Sequence, residues 1–378
     1  MAEQVTNPDL RAHRAPSRAA LDRLPLLIGA GLALLAGLCG GLARLGVDAS
    51  APSAFAAQHG PLMALGFLGT LISLERAVAL ARPWGYVAPA LAMLGGLTLA
   101  AGRAEPLGRL LLTVAAAWLV AVYLVLLRRR PGLEVPVQLA GAVAWYAGGL
   151  LWLGGRPTAD LVPWLVAFLV LTIAGERLEL TRIVVLGPRP SAGLLAAAVA
   201  LAAGTVAAVW SPAVGWRVAG VGMLGLTGWF AVYDVTRRTV RSRGLPRYTA
   251  WCLLCGYVWL AVAGAVWLAA GRPSGSYDFD AASHAVFLGF AMSMVFGHAP
   301  VILPAVLRIR LPYHPLLYAP LALLHGALTV RVTGDLAGAG AIRTAGGVGT
   351  GIALLAFAGC ALAATRLRCP PRTGEEFS

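Results

Sequence analysis

This sequence predicts an all-α polytopic membrane protein, and three observations predict it. Hydrophobic residues make up 59% of its 378 residues and charged residues only 12%, a balance foreign to soluble domains. The apolar residues gather into twelve stretches near the ~20 residues that a helix needs to cross the hydrocarbon core of a bilayer. All 30 basic residues are arginine, and they alternate with those stretches. The net charge of +14 therefore reads as membrane topology and not as nucleic-acid binding, and the expected partner is the lipid bilayer.

In order, the expected spans are 25–46, 61–81, 86–102, 107–127, 135–154, 161–181, 192–210, 214–235, 248–270, 282–306, 316–332 and 341–365. The loops between them are short, so residues 24–366 read as a single twelve-helix membrane domain. It is flanked by a basic tail, 1–23, with Arg11, Arg14, Arg18 and Arg23, and by a C-terminal tail, 367–378. The N-terminal stretch lacks an apolar core followed by a small-residue cleavage site and does not read as a signal peptide. With the N-terminus in the cytoplasm, 20 arginines fall on the cytoplasmic side and 8 on the outer side, with Arg76 and Arg177 inside spans. That bias predicts both termini inside, in a bacterial cytoplasmic (inner) membrane.

Spans 2, 6 and 10 share a pattern. Each has a small residue before a phenylalanine and an ionisable group eight residues later: Phe67/Glu75, Phe168/Glu176 and Phe290/His298. The spacing of four spans suggests three four-helix arcs with pseudo-threefold symmetry about the membrane normal. It would set Glu75, Glu176 and His298 at one depth in the cytoplasmic half, with Glu179 one turn beyond Glu176. Two readings stay open for this polar relay: an inward-facing cluster that passes protons or holds a cation, or glutamates neutralised by Arg76 and Arg177 as these snorkel to the interface.

Span 10, S-H-A-V-F-L-G-F-A-M-S-M-V-F-G-H-A-P, carries His284 and His298. Fourteen residues at about 100° each would put both within roughly 40° of one face of a regular helix. On the outer side His284 is joined by His59, just before span 2 in H-G-P-L-M, and by His325 in the outer half of span 11. Imidazole suits haem iron and copper, so His59, His284 and His325 are the candidate cofactor and metal ligands. His13 and His314 receive no role. Cys252-Leu-Leu-Cys255 lies in an apolar span with no second pair, so it reads as core and not as a zinc site. Trp84, Tyr86, Trp210, Trp216, Tyr248 and Tyr313 read as interface anchors.

Twelve spans in three arcs, with H-G-P-L-M on the second, resemble subunit I of the haem–copper oxidases, whose second span carries a His-Gly-x-x-Met pattern. His284-Ala-Val-Phe-Leu-Gly-Phe is similar to the histidine-led spans of the NnrS family, haem and copper membrane proteins of nitrogen-oxide metabolism. The resemblance implies His59 and His284 as haem ligands. It also shows departures. Spans 6 and 7 have no histidine, and span 10 lacks a second histidine close to the first. A copper ion beside a high-spin haem is therefore not implied, nor is a complete terminal oxidase.

Three functions follow as expectations. The first is a haem- or copper-binding protein on an oxidase-like scaffold, serving redox or nitrogen-oxide chemistry beside respiratory or denitrification membrane proteins. The second is a proton-coupled transporter using Glu75, Glu176, Glu179 and His298. The third is an assembly or structural partner in a respiratory complex.

Overall fold

The computed structural model describes residues 23–47, 50–129, 132–181, 187–273, 275–307 and 313–366. The two tails apart from Arg23, and with them His13 and Cys369, lie outside the described residues, as do Arg130, Arg182, Arg308 and Arg310. Helix is the only regular structure among the described residues, and eleven helices there are long and apolar enough to cross a membrane. The protein is a multi-pass membrane protein.

The long helices are α1 (Leu24–Arg44), α2 (His59–Leu80), α3 (Val87–Ala101), α4 (Glu105–Arg129), α5 (Glu134–Leu153) and α6 (Thr158–Thr181). They continue with α7 (Pro188–Ala207), α8 (Pro212–Tyr233), α9 (Leu245–Ala270), α10 (Ser276–His284, Ala285–Ala291 and Met292–Leu307 in continuous succession), α11 (Tyr318–Leu336) and α12 (Gly340–Arg366). The sequence marks their ends. Proline stands in the first turn of α1, α7, α8 and α9, where its missing N–H leaves no intrahelical bond unmade. Gly102 and Gly271 follow α3 and α9 with φ of +70° and +69°, positive values that stop a helix at low cost only for glycine, Gly102 in the left-handed helical region.

The helix outside the eleven is α8. Its 22 residues include Arg217 and five glycines, which lower its hydropathy. The glycines serve packing instead. A Cβ on Gly204 of α7 would lie 2.2 Å from the Ala219 nitrogen, and one on Gly215 of α8 would lie 2.2 Å from the Ala208 nitrogen. The two backbones touch directly, as small residues permit between membrane helices.

Nine helices form a closed ring among the described residues, in the order α1, α3, α4, α5, α7, α8, α9, α11, α12. The Thr344 hydroxyl donates to the Leu45 carbonyl at 3.2 Å and joins the last helix to the end of the first. Inside the ring stand α2, α6 and α10, whose apolar stretches are 67%, 83% and 67% buried, more than in any of the other eight membrane-length helices among the described residues. These are the three spans that share the sequence pattern, and Phe67, Phe168 and Phe290 are all buried in the core.

Three local expectations need correction. The α10 helix is not regular between its histidines. Residues 285–291 form a π-helical segment, so the 40° relation does not carry over. Trp216 and Tyr248 are not interface anchors: they are buried, Trp216 against Trp267 and Phe279, and Tyr248 against Tyr313 and Tyr318. Trp210 alone of the six has most of its surface free, at 78%. Span 10 also begins earlier than residue 282, at Ser276, and this brings Asp280 into the same helix as His284.

Candidate functional site

The site is built at the end of the bundle where α2 and α10 begin. His59 opens α2 and His284 closes the first α-helical part of α10, and each is followed by a π segment, Leu62–Gly69 and Ala285–Ala291. A π turn carries an extra residue and re-aims the side chains around it, and such turns recur at functional sites. The two imidazoles meet with ring centroids 6.1 Å apart and planes inclined by 23°.

Each ring is held from its far side. His59 Nδ1 lies 2.6 Å from the Gly37 carbonyl and His284 Nδ1 lies 2.8 Å from the Asp280 carbonyl. A carbonyl only accepts, so both Nδ1 atoms carry the hydrogen and each Nε2 is left with its lone pair. Neither Nε2 has a hydrogen-bond partner among the described residues. The His59 ring also lies flush on α1, where a Cβ at Gly41 would come within 2.7 Å of its Cε1.

Behind His284 stands an ion-pair network. The Asp280 carboxylate lies 3.3 Å from His284 Nδ1 and receives Arg331 through Nε at 3.1 Å and Nη2 at 2.9 Å. Arg331 is nearly buried, and two-point pairing with a carboxylate suits its planar guanidinium. Asp335 is buried one turn further along α11, with Arg343 Nε 3.9 Å away. Arg343 itself lies over the Tyr277 ring at 5.0 Å.

Both histidines line a cavity of about 650 Å³. Its walls are apolar where Leu38, Leu42, Val162, Leu165, Phe287 and Leu288 face it, and Met63 of the H-G-P-L-M stretch joins them. Arg44, Arg272 and Arg343 give it a cationic rim, and the buried Arg331 joins its wall. The size and lining are those of cofactor and ligand sites.

His325 does not join this pair. Trp259 Nε1–H donates to His325 Nδ1 at 2.9 Å, so the ring hydrogen sits on Nε2, which points toward the Ser293 hydroxyl at 3.4 Å. Both nitrogens are engaged away from the cavity, and His325 is absent from its lining. Convergence of three histidines, as copper would need, is not found, and no group of three or more His, Cys, Asp or Glu side chains among the described residues could hold a metal ion. Cys252 and Cys255 are free, the former packed in the core beside Tyr248.

The second set of predicted residues lies toward the opposite end. Arg76 pairs with its neighbour Glu75 and reaches Glu176 at 3.9 Å, so α2 and α6 bring the two carboxylates to one guanidinium. Arg177 Nη2 donates to His298 Nε2 at 2.6 Å, which joins α6 to α10. Glu179 is half-buried one turn beyond Glu176. Tyr123 of α4 faces this group and is fully buried.

Sequence reading missed Asp280, Arg331 and Tyr123. For Asp280 a signal existed: the spacing Asp280–His284 is one helical turn, as in carboxylate–histidine pairs that orient a ligand. Residue 280 lies two positions before the expected start of span 10, so the spacing within that span does not reveal it.

No curated protein and no solved structure matches the chain. Residues 23–366 match the family described as a domain of unknown function, DUF8744, and the chain belongs to that family.

Proposed function

We propose that this protein binds one haem between His59 and His284 and serves redox chemistry or nitrogen-oxide metabolism at a bacterial cytoplasmic membrane, with both termini in the cytoplasm. In this orientation the histidine site faces outward, beside respiratory or denitrification membrane proteins. The twelve long helices, α8 included, would then all be spans, with α2, α6 and α10 related by a pseudo-threefold axis.

The observation that carries the reading is the imidazole pair. Two imidazoles that held one metal through nitrogen at about 2 Å each would have centroids about 6 Å apart, and the observed separation is 6.1 Å. Gly37 and Asp280 fix the tautomer in which each Nε2 lone pair is available. The apolar walls suit a flat hydrophobic ring, and the arginine rim suits carboxylates on its edge. Arg331 and Asp280 hold His284 in place, as partners of ligating histidines do. A haem with two histidine ligands supplies one-electron transfer. The residues of this chain bind it, orient it and keep water from its faces. The occupied nitrogens of His325 favour this two-histidine site over a three-histidine copper site.

The test is an absorbance spectrum of the protein purified from haem-replete cells. A haem band is expected in the native protein and in His325→Ala and His314→Ala, and its loss is expected in His59→Ala and His284→Ala. Full haem content in His284→Ala, or none in the native protein, would overturn the proposal. Transport or a structural role in a complex would then be the better reading.

A further inference from the structure

The polar group at the other end of the bundle has its own chemistry. Glu75 and Glu176 approach one guanidinium, Arg76. Arg177, next in sequence to Glu176, is turned the other way and donates to His298. His298 cannot balance the charge. Its Nδ1 lies 2.7 Å from the Met294 carbonyl and so carries the hydrogen, while its Nε2 accepts from Arg177. The ring is neutral. The two carboxylates pair with one guanidinium, Arg76, and a third carboxylate and a second guanidinium, Glu179 and Arg177 of α6, face Glu176 together with Tyr123 of α4. Two carboxylates on one guanidinium leave one negative charge unpaired, and a bound proton would cancel it.

A second observation is independent of the first. Buried polar atoms are nearly always hydrogen-bonded, yet Arg76 Nε, Arg177 Nε and the Tyr123 hydroxyl are buried without a protein partner. So are the Tyr257 hydroxyl of α9 and Asp234 Oδ2, at the end of α8. The Tyr257 hydroxyl faces Asp234 and Thr236 at the margin of hydrogen-bonding geometry, with Arg177 also near it. Polar atoms that face one another across such a gap are the usual hosts of internal water. These atoms run from Asp234, three residues from the exposed Arg237, inward to Arg177 and the two carboxylates.

We propose that Glu75 and Glu176 form a proton-binding pair, reached through internal water from the Asp234 end. In the loading step a hydronium ion gives its proton to a carboxylate oxygen. An O–H bond forms, a water molecule is released, and the pair with Arg76 passes from a net charge of −1 to zero. Unloading is the reverse. A metal cation would sit against the Arg76 guanidinium, so a proton is the species that the pair fits. The site is separate from the histidine cavity, and its test needs no haem.

The experiment is infrared spectroscopy of the full-length protein in lipid vesicles at neutral pH. A protonated-carboxyl band is expected, shifting in D2O because water reaches the pair. Asp335, buried without a hydrogen-bond partner on either carboxyl oxygen, can add a background, so the band is read as the native-minus-variant difference. Either Glu75→Gln or Glu176→Gln should remove it, because the carboxylate that remains then has Arg76 to itself and ionises. Glu176→Asp should move the band and keep it, and an unchanged amide band shows that each variant is folded. The proposal is overturned if the difference spectra of both glutamine variants are flat, if the band fails to shift in D2O, or if sodium ions at constant pH abolish it.

Discussion

His59 and His284, from the starts of two inner helices far apart in sequence, face each other with ring centroids 6.1 Å apart and their Nδ1 hydrogens turned outward to the Gly37 and Asp280 carbonyls. The pair depends on three neighbours. Gly41 gives the His59 ring its place, Asp280 steadies His284, and Arg331 holds Asp280.

Gly41→Ala places a methyl group 2.7 Å from His59 Cε1. The ring must turn, because the α1 backbone is fixed by its own helix. Thermal stability should change little, while affinity for haem, the ligand proposed above, should fall about tenfold or more, as for lost partners of a ligating histidine. Haem titration of the apoprotein measures it.

The Arg331–Asp280 pair is expected to show strong coupling. Arg331→Met leaves a carboxylate without its cation, and for a buried pair this costs about 3–5 kcal/mol. The loss here should fall at or below the lower end, since the Asp280 side chain keeps 22% of its surface exposed. Adding Asp280→Asn should restore part of the loss, giving a favourable interaction term in a double-mutant cycle read by thermal unfolding in detergent. Additive losses would show that the two side chains act separately.

Gly204→Val tests the contact between α7 and α8. Its Cβ would meet the Ala219 nitrogen at 2.2 Å and the Gly215 carbonyl oxygen at 2.7 Å, both backbone atoms that cannot swing aside. The helices must part, and destabilisation of about 1–3 kcal/mol or more is expected. Gly31→Val, where a Cβ meets nothing within 4 Å, is the control and should leave the unfolding temperature unchanged.

Orientation has a direct test. A reporter fused after Ser378 that works only in the cytoplasm should be active, and one that works only outside it should be silent. The opposite result would reverse the membrane sidedness proposed for both polar sites, because the arginine bias is what assigns it.

Much of this architecture is legible in one dimension. Each membrane helix must satisfy its own backbone within one apolar segment, so hydropathy alone locates the helices from α1 to α12. The α8 helix shows where that signal thins: glycines used for packing lower the same hydropathy that marks a span. The shared pattern in spans 2, 6 and 10 falls on the three most buried helices, because helices packed mainly against protein tolerate ionisable groups that others cannot. What linear order cannot carry is which side chains meet. Both His284 and His325 lie on neighbouring helices at one end of the bundle, and spacing treats them alike. Only the packing turns His284 toward His59 and the cavity, while Trp259 and Ser293 take both nitrogens of His325. The physical reason is that a ligand site needs two lone pairs within a few ångströms. That distance is set by π segments, a glycine opposite a ring, and an arginine from another helix, each a consequence of three-dimensional contact and not of composition.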